Sequence, residues 1–186
     1  MDYKELGDIF LYYQTSNSSL LLYRDNIISE MITDENYVAL TKDELINIFN
    51  FHIDELEKTV SMNILSNIEA SFRIDYSIRA KKRLKDPVSR KFRELYKDKE
   101  ERVRLEDEIL AIWQQEHPEF KQIISNFKSA LKYRHWLAHG RYWTPKFGRI
   151  FDIETVYSIS EQINANVPLK KGITIRSTGL LFRCAP

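Results

Sequence analysis

Between Tyr133 and Trp143 the chain reads Tyr-Arg-His-Trp-Leu-Ala-His-Gly-Arg-Tyr-Trp. Two imidazoles (His135, His139), two guanidiniums (Arg134, Arg141) and the phenol of Tyr142 fall in this run, with apolar Trp136, Leu137 and Ala138 among them. Histidine titrates near neutral pH without help, and arginine carries a permanent charge on a rigid fork of donors that matches phosphate. Together they suit proton transfer beside a phosphodiester. A helix advances about 100° per residue, so His135, His139 and Tyr142 share one stripe, and Arg134 and Arg141 form a second beside it. Arg134 and His139, five positions apart, lie about 140° apart on that helix. A straight helix does not aim both at one atom, although the reach of the arginine or a bend near Gly140 would narrow the gap.

Other chemistries fit less well. His135 and His139 are an H-x3-H pair that could supply two zinc ligands, but a zinc hydrolase would want Glu directly after the first His, where Trp136 stands. No third ligand lies nearby, so no metal is expected. The five glycines are scattered, which leaves no phosphate-cradling loop and no expectation of a nucleotide cofactor. Net charge is only +1, yet it is unevenly spread. From Arg79 to Arg104 there are twelve Lys/Arg against five Asp/Glu, and from Lys128 to Arg149 six basic residues and no acidic ones. The first segment reads most simply as a solvated basic helix face. The second coincides with the histidines and aromatics, and its Lys132, Arg141 and Lys146 are candidate contacts to a polyanion such as RNA.

The elements that must position these groups are helices. A chain of 186 residues with 43% apolar content is large enough for a real core, and five Gly with five Pro are too few for a turn-rich β-sandwich. Residues 3–13 carry Tyr3, Leu6, Ile9, Phe10 and Tyr13 on one face. Thr15-Ser16-Asn17-Ser18-Ser19 predicts a break, followed by a second helix through Leu20-Leu21-Leu22 to Ile32, or by a short strand at the triple Leu. Thr41-Lys42-Asp43-Glu44 is a capping box that opens a helix whose apolar period runs from Leu45 through Ile78, with a break predicted near Thr59–Met62. Asp86-Pro87 opens another, and Leu105 to Trp113 a further one that ends near His117-Pro118. Residues 119–142 are expected to form the helix bearing the Arg/His run, with Pro145 and Gly148 ending it. Asp152 caps a last helix stopped by Pro168, and the tail from Lys171 is either strand-like or unstructured. The expectation is one all-α antiparallel bundle over residues 1–186, with a core at about 41–165, extra N-terminal helices in 1–40 and a short extension at 168–186.

Arg134, four intervening residues, His139 and then Gly140 resemble the Arg-x(4–6)-His motif of HEPN domains, the all-helical ribonuclease domains of bacterial toxin–antitoxin and defence systems. The segment Ile68-Glu69-Ala70-Ser71-Phe72-Arg73-Ile74-Asp75-Tyr76 resembles the polar-marked second core helix of several HEPN families, and Gly140 to Lys146 resembles sequence that follows the motif. The resemblance implies a HEPN-type bundle and a metal-independent endoribonuclease acting through attack of a ribose 2′-OH. It makes His139 the proton shuttle and Arg134 the phosphate clamp. His135 stands where many members carry Asn or Asp, and would orient the phosphate or tune His139. Tyr142 would donate to a phosphate or stack on a base, unless it is a half-buried interface tyrosine. Glu69, with Arg73 and Asp75, would orient Arg134 or a histidine; the plainer alternative is an i, i+4 Glu69–Arg73 surface pair. The resemblance also implies a homodimer with a composite cleft, and an antitoxin if the protein is a toxin. The competing expectation is a non-catalytic helical module that binds RNA, a nucleotide or a protein. The single cysteine (Cys184), the acidic opening Met1-Asp2-Tyr3-Lys4-Glu5 and the lack of a long apolar run point to a cytoplasmic protein away from membranes.

Overall fold

The longest element organises the rest. In the computed structural model, which describes residues 5–171, α2 runs unbroken from Lys42 to Lys81, about 60 Å at 1.5 Å per residue. Around it stand α1 (Leu6–Ile28), α3 (Pro87–Lys99), α4 (Leu110–Glu116, entered through a wide π-turn at Leu105–Ile109), α5 (Lys121–Ala138, entered through a 3-10 turn) and α6 (Ile153–Asn166). Among the described residues there is no strand, so the fold is all-α. No helix among them is long and apolar enough to cross a membrane.

α1, α3 and α5 run antiparallel to α2, as cross-helix pairs show, whereas α6 runs parallel to it: Glu154 at its start lies by Tyr13, the partner of Glu57, and Pro168 just past its end accepts from Arg79. Tyr13 donates to Glu57 (2.9 Å) while Tyr23 packs its ring edge on Phe49. Tyr76 meets Phe92 where Arg79 meets Ser89. Phe72 stacks on Phe127 and Glu69 faces Arg134. The core is built from Ile64, Leu65, Ile68 and Phe72 of α2, Phe92 of α3, Trp113 of α4, Ile124 and Phe127 of α5 and Val156 and Ile163 of α6, all removed from solvent.

Both start signals hold. Thr41 accepts from the Glu44 N–H and the Glu44 carboxylate accepts from the Thr41 N–H (2.8 Å), while Asp86 accepts from the Ser89 N–H (3.0 Å) ahead of Pro87. Both predicted breaks are absent. α1 passes straight through Thr15–Ser19, where the Ser19 hydroxyl donates to the Thr15 carbonyl (2.8 Å) instead of competing with the helix. α2 passes through Thr59–Met62 because Val60 and Ser61 are fully buried there, and packing overrides a weak local preference. The strand alternative at Leu20–Leu22 is likewise helix. The expectations for 172–186 lie outside the described residues.

One buried ion pair ties these helices together. Asp75 is fully buried, and accepts from Arg79 Nε (2.6 Å), Trp113 Nε1 (3.2 Å) and the Lys170 backbone N–H (2.7 Å). Arg79 also donates to Asp86 (2.8 Å), Ser89 Oγ (3.2 Å) and the Pro168 carbonyl (2.9 Å), and its guanidinium lies 5.0 Å from the centre of the Trp113 ring. Burial pushes the Asp75 carboxyl up from the ordinary range, and the donors oppose that push. Removing one partner of such a pair strands the other, at a cost of about 3–5 kcal/mol. Arg79→Ala is therefore expected to lower the melting temperature by roughly 6–20 °C, followed by circular dichroism. Arg73→Ala, on an exposed pair, is expected to move it far less; equal shifts would deny the buried pair its special weight.

Candidate active cleft at the end of α5

The end of α5 decides where the chemistry-bearing residues go. The helix stops at Ala138, four residues short of the expected Tyr142, and its terminator is Gly140 rather than Pro145 or Gly148. His139 is the cap, Gly140 takes φ +78° and Arg141 φ +56°, and the Arg141 N–H returns to the Trp136 carbonyl (3.2 Å). That six-to-one closure is a Schellman ending, which needs a left-handed residue just past the cap, and glycine supplies it without a Cβ penalty.

Both predicted stripes are cut by this turn. His135 and His139 stay together, ring centroids 4.1 Å apart, but Tyr142 leaves them; it is 83% exposed, with its ring edge-on to Trp143. Arg141 leaves Arg134 and forks onto Glu55 of α2, with Nη2 2.8 Å from Oε2 and Nη1 on the other oxygen. Arg141 is thus a clamp between the loop and α2 rather than a free cation for RNA. The loop behind it is held by Trp136 Nε1 donating to the Trp143 carbonyl (2.9 Å), by Phe147 edge-on to Tyr133 and Trp136, and by Phe151 stacked on Tyr133.

Arg134 faces the opposite way, into α2. Its Nη2 lies 3.8 Å from Glu69 Oε2, while the other oxygen of Glu69 takes Arg73 at 3.0 Å. The two alternatives for Glu69 are therefore both realised: one carboxylate serves the i, i+4 partner and the arginine of α5. Arg73 also donates to the Val103 carbonyl (3.3 Å). The Arg134 Nε is buried with no hydrogen-bond partner among the described residues. Asp75 does not join this set. Six residues beyond Glu69 it points into the core, where Arg79 and Trp113 take it.

Two shallow clefts meet here. One, of about 400 Å³, is lined by Glu69, Arg73, Val103, Glu106, Arg134 and His135; the other, of about 460 Å³, by Leu131, Lys132, His135, Trp143, Lys146 and Phe147. His135 lines both, so it stands on the ridge between the arginine side and the lysine side. Lys132 and Lys146, fourteen residues apart in sequence, are brought to one cleft. Glu106 lines both clefts and Asp107 the first, and nothing in their local spacing announced that. Glu55 was equally silent, since its partner lies 86 residues away. Among the described residues no three His, Cys, Asp or Glu side chains form a metal-ligand set.

Comparison with protein-family models, with curated proteins and with solved structures finds no match. The chemistry of the clefts rests on their own geometry: Arg134 and His135 line one, His135 with Lys132 and Lys146 lines the other, and His139 lines neither but rests its exposed ring against His135.

The Arg141 hydrogen bonds hold the Glu55 carboxyl below its usual range. A carboxyl lowered in the folded state adds stability above its unfolded pKa and loses it as pH falls through the folded value. The melting-temperature deficit of Glu55→Gln is therefore expected to be present at neutral pH and to close progressively below about pH 4. A deficit that persists undiminished into strong acid would mean that the clamp is not ionic.

Proposed function

We propose that the protein is a HEPN-type, metal-independent endoribonuclease. The observation that carries this reading is that Arg134 and His135 line one cleft, with the His139 ring against His135. In the proposed reaction His139 accepts the proton of a ribose 2′-OH as that oxygen forms a bond to the adjacent phosphorus. The bond from phosphorus to the 5′-oxygen breaks, and the proton is delivered to the leaving oxygen. The products are a 2′,3′-cyclic phosphate and a 5′-hydroxyl, with no external redox partner or metal. Arg134 donates to the non-bridging oxygens as their charge grows. His135 positions the phosphate from the ridge, and Tyr142, standing in solvent, offers a ring for a base or a hydroxyl for a phosphate. Lys132 and Lys146 supply the field for the strand.

The imidazoles and Tyr142 are exposed in the single chain, and a two-fold partner packed on the end of α5 would close the groove over them. A composite site in an isologous homodimer is part of the proposal. So are a cytoplasmic setting, a role as a prokaryotic toxin or phage-defence effector, and an antitoxin that restrains it.

Incubation of the full chain with structured RNA in EDTA is expected to yield cyclic-phosphate ends. His139→Ala is expected to slow cleavage by about 10²–10⁴-fold and Arg134→Ala by about 10²–10³-fold. No cleavage by the wild type defeats the enzyme reading, and loss of cleavage in EDTA defeats the metal-free mechanism. Light scattering is expected to return a dimer mass at micromolar concentration; a monomer that still cleaves would remove the shared cleft.

A further inference from the structure

The basic segment from Arg79 to Arg104 is not used evenly. Arg79 sits in the buried network, Lys81 pairs with Glu101, Lys99 with Glu108, and Arg104 lies near Asp107. Arg93 donates to the Lys82 and Leu84 carbonyls (3.4 and 2.7 Å). That last contact has a geometric result. It pins the loop between α2 and α3 against the α3 stripe on which Arg90, Arg93 and Lys97 follow at i, i+3 and i+7. Lys82, Arg83 and Lys85 of the loop thereby share this corner with Arg90 and Lys97 of the stripe, while Lys91 stands on the helix face away from Arg93. All six side chains are exposed, and none has an ion-pair or hydrogen-bond partner among the described residues. Within 82–97 the acids are Asp86, already taken by Arg79 and Ser89, and Glu94. The corner is therefore a surface with a cationic excess, which Glu94 and the adjoining Asp98 offset only in part.

Its place relative to the cleft is also defined. Glu69, Arg73, Ser77 and Lys81 form one i, i+4 ridge of α2, and the 101–103 segment lies along it. Arg73 reaches the Val103 carbonyl, and Ser77 and Lys81 reach Glu101. From Glu69 to Lys81 is twelve residues of unbroken helix, about 18 Å. A polar track thus leads from the Arg134 cleft to the corner. No large exposed apolar residue lies between 79 and 104, so the corner has no side chain to insert into a lipid surface, as an amphipathic membrane anchor would need. A surface of charge alone, laid out along a track, matches a phosphate backbone.

We propose that the α2–α3 corner is a second nucleic-acid site, which grips the backbone of the same single strand a few nucleotides from the phosphate at Arg134. This rests on the endoribonuclease reading for the identity of the strand. The corner holds the substrate without contributing to bond cleavage, and makes affinity depend on strand length.

The test uses the full chain and 2′-O-methyl RNA, which binds but cannot be cleaved, followed by fluorescence anisotropy across a salt series. The triple variant Lys82→Gln, Arg83→Gln, Arg90→Gln changes exposed side chains only, and its thermal melt controls for folding. For a long strand the variant is expected to bind more weakly, with a salt slope shallower by about 2, since each phosphate contact on a single strand contributes about 0.7. For a strand short enough to fill only the cleft, variant and wild type are expected to bind alike. Unchanged affinity and slope on the long strand would overturn the proposal. So would wild-type protein that prefers phosphatidylserine vesicles to RNA. Failure of the nuclease reading shows separately, as wild type that leaves ordinary RNA intact.

Discussion

The Asp75–Arg79 pair is the constraint on which the rest of the fold hangs. A buried carboxylate beside a buried guanidinium is stable only if the remaining lone pairs and N–H groups are also met. Here they are met by α4 through Trp113, by the start of α3 through Asp86 and Ser89, and by the chain beyond α6 through Pro168 and Lys170. The partners come from three elements besides α2, so satisfying one residue pair fixes the mutual placement of four segments. A purely apolar contact would tolerate sliding; this network has one register. With it set, the middle of α2 faces α5 at Glu69 and Arg134.

A second device works at the other end of the cleft. α5 is closed by a left-handed pair of residues, and the chain that leaves it is tied back by Arg141 on Glu55 and by the Tyr133–Trp136–Phe147–Phe151 aromatic cluster. The loop therefore forms a wall of the lysine-lined groove, with Trp143, Lys146 and Phe147 on it. The imidazoles sit where helix gives way to loop, each exposed and tilted against the other rather than spent on core packing.

How much of this was legible depended on the range of each interaction. The caps at Thr41 and Asp86 use groups three residues apart, and local spacing reveals them. In α5, Ile124, Phe127 and Ala130 recur at helical spacing, and all three are buried. The serine-rich run in α1 misled, because serine that bonds back to its own helix looks the same in sequence as serine that ends one. The end of α5 was signalled by Gly140, but the later Pro145 and Gly148 masked it. Asp75 and Arg141 carried the right chemistry with the wrong partners: their positions are set by Trp113, Lys170 and Glu55, which local spacing cannot connect to them. Glu69 was open between two roles because both Arg73 and Arg134 lie within its reach.

That double reach has a further consequence. Glu69 sits closer to Arg73 (3.0 Å) than to Arg134 (3.8 Å). On the proposed reading, an anion arriving at Arg134 would displace a carboxylate that keeps its other cation. Such an exchange would strand no charge on either side, so in that reading Glu69 would be a placeholder that holds the arginine while the groove is empty and yields it when a stronger acceptor enters.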